Sequence, residues 1–215
     1  MVGPSPICIP ERFPLTGRLF LNAKAHLRKR LRTERRAAVA ALDPRMSALL
    51  MLRPPAALAA LIPAGATIAL YAAGADETPT LGYAKWFHDA GYRLTLPWFA
   101  SRDAAMTFRK WASPYADDVL KPGPWSIMQP LDDAPEAVPD VAFVPLVGFS
   151  PEGGRLGQGG GHYDRWLAAH PATVAIGLAW DCQMVEHLPL EPHDRPLTAV
   201  VTPTRLYGPF PGAHA

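Results

Sequence analysis

The residues best placed for chemistry lie between Phe143 and Arg165. There the apolar run Phe143-Val144-Pro145-Leu146-Val147-Gly148-Phe149-Ser150 precedes Gly153-Gly154-Arg155-Leu156-Gly157-Gln158-Gly159-Gly160-Gly161-His162-Tyr163-Asp164-Arg165. The order predicts a buried strand, a glycine loop and then a helix. Glycine removes side chains that would block close approach and permits the positive φ angles that turn several N–H groups toward one point. The N-terminus of a following helix adds donors and a dipole that favours phosphate. Arg155 brings a cation to this anion cradle, His162 and Tyr163 bring hydrogen-bonding groups, and Asp164 brings a carboxylate able to hold a metal. The two commonest nucleotide loops are excluded. The chain contains no Gly-Lys-Ser or Gly-Lys-Thr, so the P-loop lysine is missing, and a dinucleotide fingerprint begun at Gly157 would need glycine where His162 stands.

Three other segments carry candidate chemistry. Lys24, Arg28, Lys29, Arg30, Arg32, Arg35 and Arg36 face a single acid, Glu34; the run reads either as a solvated basic face or, through Lys24 and Arg28 four residues apart on one side of a helix, as a grip on polyphosphate. Asp76-Glu77-Thr78-Pro79-Thr80 follows a strand and either caps the next helix or offers a carboxylate to the paired donors of a pterin-like ring. Asp164 and Asp194, on separate loops, suffice for magnesium when phosphates and water complete its shell. Zinc is disfavoured, because His187 and His193 lack cysteine or histidine partners at zinc spacing. Trp125, beside Ser126 in a proline-rich loop, reads either as a core or loop anchor, as the other tryptophans do, or as a wall for a flat heterocycle.

The elements that must position these groups alternate. A helix is predicted from Asn22, as its N-cap, to Leu42, with Leu27, Leu31 and Ala38 on one face and Pro44 as its stop. Met46 to Leu61 is also helical in pattern, broken at Pro54-Pro55. Strands are predicted at Thr67–Ala72, Tyr92–Leu96 (closed by Pro97), Ala105–Trp111, Val141–Val147, Thr173–Trp180 and Leu197–Val201, with helices at Leu81–Ala90 and Asp164–His170. Strands apolar on both faces and interleaved with helices give an α/β fold: a mostly parallel sheet with helices on both faces, a Rossmann-like three-layer sandwich. Ligands in such sheets sit beyond the carboxyl ends of the strands, where the glycine loop lies.

Composition fits one domain of 215 residues, with 49% hydrophobic and 19% charged residues, and a net charge of +2 too small to argue for nucleic acid or membrane as partner. The sequence predicts a single domain over 21–215 and a loosely held extension over 1–20, which carries Pro4, Pro6, Pro10 and Pro14. Cys8 and Cys182 make no disulfide framework, and with neither a secretory signal nor an apolar run of membrane-spanning length the chain reads as cytoplasmic.

Lys24-Ala25-His26-Leu27-Arg28, Asp76-Glu77-Thr78-Pro79-Thr80, Trp125, the block from Arg155 to Arg165, and Pro192-His193-Asp194, in that order, resemble the 5-formyltetrahydrofolate cyclo-ligases, also called 5,10-methenyltetrahydrofolate synthetases. The resemblance runs from about Asn22 to the last strand. It implies a sheet of the sugar-phosphate isomerase and CoA-transferase type and a monomer with one catalytic domain. It also implies an ATP- and Mg2+-dependent closure of 5-formyltetrahydrofolate to 5,10-methenyltetrahydrofolate with release of ADP and phosphate. The formyl oxygen attacks the γ-phosphate, N10 adds to the activated carbon, and phosphate leaves. Carried over by motif, Lys24 and Arg28 hold ATP phosphates, while Arg155, Leu156, Gly157, Gln158, Gly159, Gly160, Gly161, His162 and Tyr163 wrap the nucleotide. Asp164 and Asp194 organise Mg2+, Glu77 and Trp125 meet the pterin, and Gln158 to His162 contact both ligands; Arg155, His162 and Tyr163 stand nearest the reaction. His162 departs from a pattern that often has two tyrosines before the aspartate, and Gln158 stands where some relatives carry a basic residue. A non-catalytic folate- or nucleotide-binding protein, and a kinase or sugar-phosphate enzyme on the same sheet, are the alternative readings.

Overall fold

The computed structural model describes residues 17–43, 45, 49–191 and 194–211. The proline-bearing stretch through Pro14, with Cys8, lies outside the described residues, as do Pro44, Met46 and the Pro192-His193 pair. The first helix, α1, runs Gly17–Ala40, so Asn22 is inside it and is not its N-cap. After the Pro54-Pro55 pair, α2 is a single turn, Ala56–Ala59, entered from Pro55 in extended backbone, as a residue without a backbone N–H and with fixed φ dictates. Helix α3 spans Leu81–Asp89 and α4 spans His162–Ala169.

Seven strands form the main sheet: β1 (Thr67–Ala69), β2 (Arg93–Trp98), β3 (Thr107–Lys110), β6 (Val141–Pro145), β9 (Val174–Leu178), β10 (Ala199–Val201) and β11 (Leu206–Tyr207). Their order is β11-β10-β9-β6-β1-β2-β3. The inner pairings are parallel and the two edge strands, β3 and β11, are antiparallel. Two small hairpins stand apart, β4 (Leu120–Pro122) with β5 (Met128–Pro130), and β7 (Gly148–Phe149) with β8 (Arg155–Leu156).

Alternation along the strands divides the core into two layers. Ile68, Leu70, Val141, Phe143, Ile176 and Val201 pack on Leu58 of α2 and on Tyr83, Ala84 and Phe87 of α3. The intervening Ala69, Ala142, Val144, Ala175 and Val200 pack on Trp166 and Leu167 of α4. The sheet is therefore a middle layer with helices on both faces. Its chain reverses direction of growth between β1 and β6: β1 leads through α3 to β2 on one side, and β6 leads through α4 to β9 on the other. That is a topological switch point, where a crevice opens beyond the strand ends.

Two expectations are corrected. Pro97 does not close its strand, since β2 continues through it to Trp98 and Pro97 pairs with Phe108. Trp111 donates its backbone N–H to Leu94, so by the two-residue alternation the missing N–H of Pro97 faces the other side, where β1 has ended at Ala69. The apolar strand before the glycines also does not enter the loop directly. The β7–β8 hairpin intervenes, putting Gly153 and Gly154 in its turn and leaving Gly157 to Gly161 as the loop before α4.

Helix α1 docks on that hairpin. Leu31, 1% exposed, packs with Val147 and Leu156, with Leu27, Val185 and Leu188 around them. Truncating Leu31 to Ala removes the central knob of this small cluster. We expect a loss of about 2–5 kcal/mol in urea unfolding, and a loss below about 1 kcal/mol would show that α1 is held by its charged contacts alone.

Candidate active site

A cavity of about 550 Å³ opens at the switch point, within the range of small-molecule sites. Tyr71 and Ala72 beyond β1, Pro97 of β2 and Pro145 at the end of β6 form its floor. The glycine loop and the start of α4 form one wall, α1 contributes Lys24 and Arg28, and the β4–β5 hairpin contributes Pro124, Trp125, Ile127, Met128 and Gln129. Every sequence-predicted site residue lines this one cavity: Lys24, Arg28, Glu77, Trp125, the run from Arg155 to Asp164, and Asp194.

The glycine wall is built as its composition requires. Gly159 (φ 109°) and Gly161 (φ 65°) lie in the left-handed region that residues with a Cβ rarely adopt, and Gly161 is the N-cap of α4. The first N–H groups of α4 have no acceptor within their own helix, and the residues that open it, Gly161 to Asp164, line the same cavity as Lys24, Arg28 and Arg155. Arg28 ties the loop from α1, its Nε donating to the Gly157 carbonyl at 2.9 Å.

The charged groups are already engaged with one another. The Lys24 ammonium, 4% exposed, donates to Glu191 Oε2 at 2.6 Å and Asp194 Oδ2 at 2.7 Å. Burial works against its charge, but the hydrogen bonds and charges of Asp194 and Glu191 outweigh it and hold the ammonium above its ordinary value. Arg155, 5% exposed, donates Nη2 to Asp164 Oδ1. Arg35, 4% exposed and one of the run read as a basic face, donates Nε and Nη2 to Asp76 at 3.1 and 2.9 Å and Nη1 to the Leu146 carbonyl. On this side of α1 the basic run is therefore a docking face rather than a solvated one.

The Asp76 to Thr80 segment does not cap α3. Thr80 is the N-cap by position, but its hydroxyl donates to the Tyr71 carbonyl and makes no cap bond. Glu77 instead faces the cavity, accepting from the Gly74 N–H at 2.9 Å and from Gln158 Nε2 at 3.0 Å. The cavity also has an aromatic group. The rings of Phe99 and Trp125 lie 5.1 Å apart, and His162 sits 5.0 Å from Phe99 and 5.7 Å from Trp125. Trp125 and Ser126 both have positive φ, 61° and 59°, a strained conformation for non-glycine residues that clusters at ligand clamps. Burial, with Arg165 nearby, lowers the His162 pKa below its ordinary value. Burial first, then Glu77, raises the Tyr163 phenol, whose hydroxyl is buried without a hydrogen-bond partner among the described residues.

Sequence reasoning missed Phe99, Tyr71 and Glu191. Glu191 had a signal, standing three residues before Asp194 in a loop already singled out; Phe99 and Tyr71 reach the cavity only through the three-dimensional arrangement of strand ends. Among the described residues no group of three or more His, Cys, Asp or Glu could by itself hold a metal ion, and no helix is long and apolar enough to cross a membrane.

Three comparisons bear on this geometry. The sequence is 47% identical over 87 residues to the 5-formyltetrahydrofolate cyclo-ligase of Escherichia coli strain K12, covering 38% of this chain. The match spans about half of that relative, 48% of its length. It is 31% identical over 152 residues to the 5-formyltetrahydrofolate cyclo-ligase of Mycolicibacterium smegmatis, covering 66% of this chain and 75% of that protein. The fold resembles the NMR structure of Aquifex aeolicus 5,10-methenyltetrahydrofolate synthetase, with a TM-score of 0.67, 24% identity, and coverage of 88% of this chain and 94% of that one. The sequence model of the 5-formyltetrahydrofolate cyclo-ligase family matches residues 21–203, and the chain belongs to that family.

Proposed function

We propose that the chain catalyses the ATP-dependent cyclisation of 5-formyltetrahydrofolate to 5,10-methenyltetrahydrofolate, working as a single chain in the cytoplasm. One observation carries this reading: a single cavity is lined by the cations Lys24, Arg28 and Arg155, by the glycine loop, by the Glu77 carboxylate and by the aromatic rings of Phe99 and Trp125 with His162. Lys24, Arg28, Arg155 and the N-terminus of α4 suit the triphosphate. Glu77 suits the paired N–H donors of the pterin, and Phe99, Trp125 and His162 suit its flat ring. Membership of the cyclo-ligase family supports 5-formyltetrahydrofolate as one of these ligands.

The chemistry asks the protein mainly to align two ligands and to neutralise charge. The formyl oxygen forms a bond to the γ-phosphorus as ADP leaves. The N10 lone pair then adds to the activated carbon, N10 loses its proton, and the C–O bond breaks to release phosphate. Arg155 and the loop N–H groups are set to meet the transferred phosphoryl oxygens. The buried Tyr163 hydroxyl gains a partner if one of those oxygens reaches it, which removes a cost of about 1–3 kcal/mol. Magnesium fits the donor chemistry, since Asp164 and Asp194 are oxygen donors lining the same cavity as the phosphate wall, and two carboxylates suffice when phosphates complete the shell. Bound there, the metal supplies charge neutralisation between phosphate groups.

The methenyl product absorbs in the near ultraviolet, so its formation should require 5-formyltetrahydrofolate, ATP and Mg2+ together, each omitted in turn. Tight folate binding without ADP release would show a binding protein instead. Asp164→Asn keeps an acceptor for Arg155 but removes the charge; turnover should fall by about a hundredfold or more with the fold intact by circular dichroism, and unchanged turnover would sink the metal role. For His162, an NMR titration should place the midpoint below the ordinary 6.5, and the pH profile of kcat/KM should show no inflection from this ring above that value. A midpoint at or above 6.5 would show that the ring is more solvated than its packing against Phe99 and Trp125 indicates.

A further inference from the structure

The glycine loop is tied from outside as well as lined from inside. Arg32 lies one turn beyond Arg28 on α1 and does not line the cavity. Its guanidinium holds Gln158 at three points: Nη2 donates to the Gln158 carbonyl at 3.0 Å and to Oε1 at 2.7 Å, and Nε donates to Oε1 at 3.2 Å. Arginine has only donors, so the atom of the Gln158 amide that it meets must be the oxygen. The amide nitrogen is thereby turned the other way, where it donates to Glu77 Oε1 at 3.0 Å. Glu77 Oε2 is held in turn by the Gly74 N–H at 2.9 Å. A chain of hydrogen bonds thus runs from α1 through the glycine loop to the loop after β1.

We infer that Arg32 is a positioning residue: it fixes the Gln158 amide so that its donor edge faces Glu77, and so sets the orientation of the Glu77 carboxylate in the cavity. Without Arg32, either face of the amide can meet Glu77, and an amide oxygen against a carboxylate is repulsive. The inference deepens the proposed function, resting on it for the statement that Glu77 meets the pterin. It also separates the two neighbouring arginines of α1. Arg28 lines the cavity and holds the loop backbone, whereas Arg32 acts on the folate end through Gln158. The role depends on a forked donor set and not on charge alone, which gives the test its handle, because lysine keeps the charge and loses the fork.

Arg32→Lys, Arg32→Met, Gln158→Leu and the Arg32→Lys/Gln158→Leu double variant are compared with the wild type. Arg32→Lys and Arg32→Met should each weaken 5-formyltetrahydrofolate about fivefold or more, in KM and in the dissociation constant read from tryptophan fluorescence. For both, kcat at saturation should stay within about twofold, the pattern of lost ground-state positioning. Adding Arg32→Lys to Gln158→Leu should weaken folate no further, because the two act in one chain. In the unliganded protein, amide hydrogen exchange over residues 157–161 should quicken in Arg32→Lys. Wild-type folate affinity in Arg32→Lys, additive effects in the double variant, or unchanged exchange over 157–161 would each overturn the inference. Failure of the wild type to make the methenyl product would instead overturn the proposed activity, and the exchange measurement would still decide the role of Arg32.

Discussion

The site depends on one stripe of α1. Lys24, Arg28, Leu31 and Arg35 follow one another at intervals of four, three and four, so they share a face of the helix. Each meets a different piece of the cavity's surround. Lys24 meets Glu191 and Asp194 in the loop before β10, Arg28 meets the glycine loop, Leu31 meets the β7–β8 hairpin, and Arg35 meets Asp76 in the loop after β1. None of these loops has a large core of its own, and they are brought to one place by a helix that is remote from all of them in sequence. The buried cations make the docking specific as well as favourable. An uncompensated charge in place of Lys24 or Arg35 would be strongly destabilising, so the helix can sit only where the carboxylates are.

The sheet supplies what α1 cannot, an open floor. Because β1 and β6 send their crossovers to opposite faces, a crevice opens beyond the ends of these neighbouring strands, and Tyr71, Ala72 and Pro145 line it. The same alternation that divides the two core layers fixes the depth of α4 against the sheet, through Trp166 and Leu167. Helix α4 is therefore held by apolar packing through Trp166 and Leu167 and, ahead of its N-terminus, by the bond from Arg28 to the preceding loop. A backbone anion site needs this rigidity, because its donors gain selectivity only when they are fixed before the ligand arrives.

Much of this was legible in the residues. The alternation of elements gave the three-layer sheet, and the four-residue spacing of Lys24 and Arg28 put them on one side. The glycine block marked the loop that lines the cavity. What periodicity cannot give is the partner. It places Arg35 and Arg32 on α1 but does not say that one is buried against Asp76 and the other forks onto Gln158, since those partners lie 41 and 126 residues away. The β7–β8 hairpin was hidden for a related reason. Gly148 and Phe149 continue an apolar run that reads as one strand, and only tertiary pairing with Arg155 and Leu156 divides it. Pro97 misled because its missing donor matters only on a side where a neighbour continues, and neighbour length is not a local property.

The charge pattern links the two halves of the functional proposal. Lys24 is held by two carboxylates, and Arg155 is held by a third, so two of the three cations proposed to meet phosphate are already paired within the protein. A bare polyanion entering this corner would have to compete with Glu191 and Asp194 for Lys24 and with Asp164 for Arg155. Each carboxylate released would then face the new negative charge across a few ångströms of partly desolvated space, where like charges repel far more strongly than in water. That repulsion falls away if positive charge arrives with the anion and takes over the released carboxylates. This supports the proposal of a nucleotide that brings its own cation, and the metal and ATP proposals share Asp164 and Asp194, with Glu191 beside them.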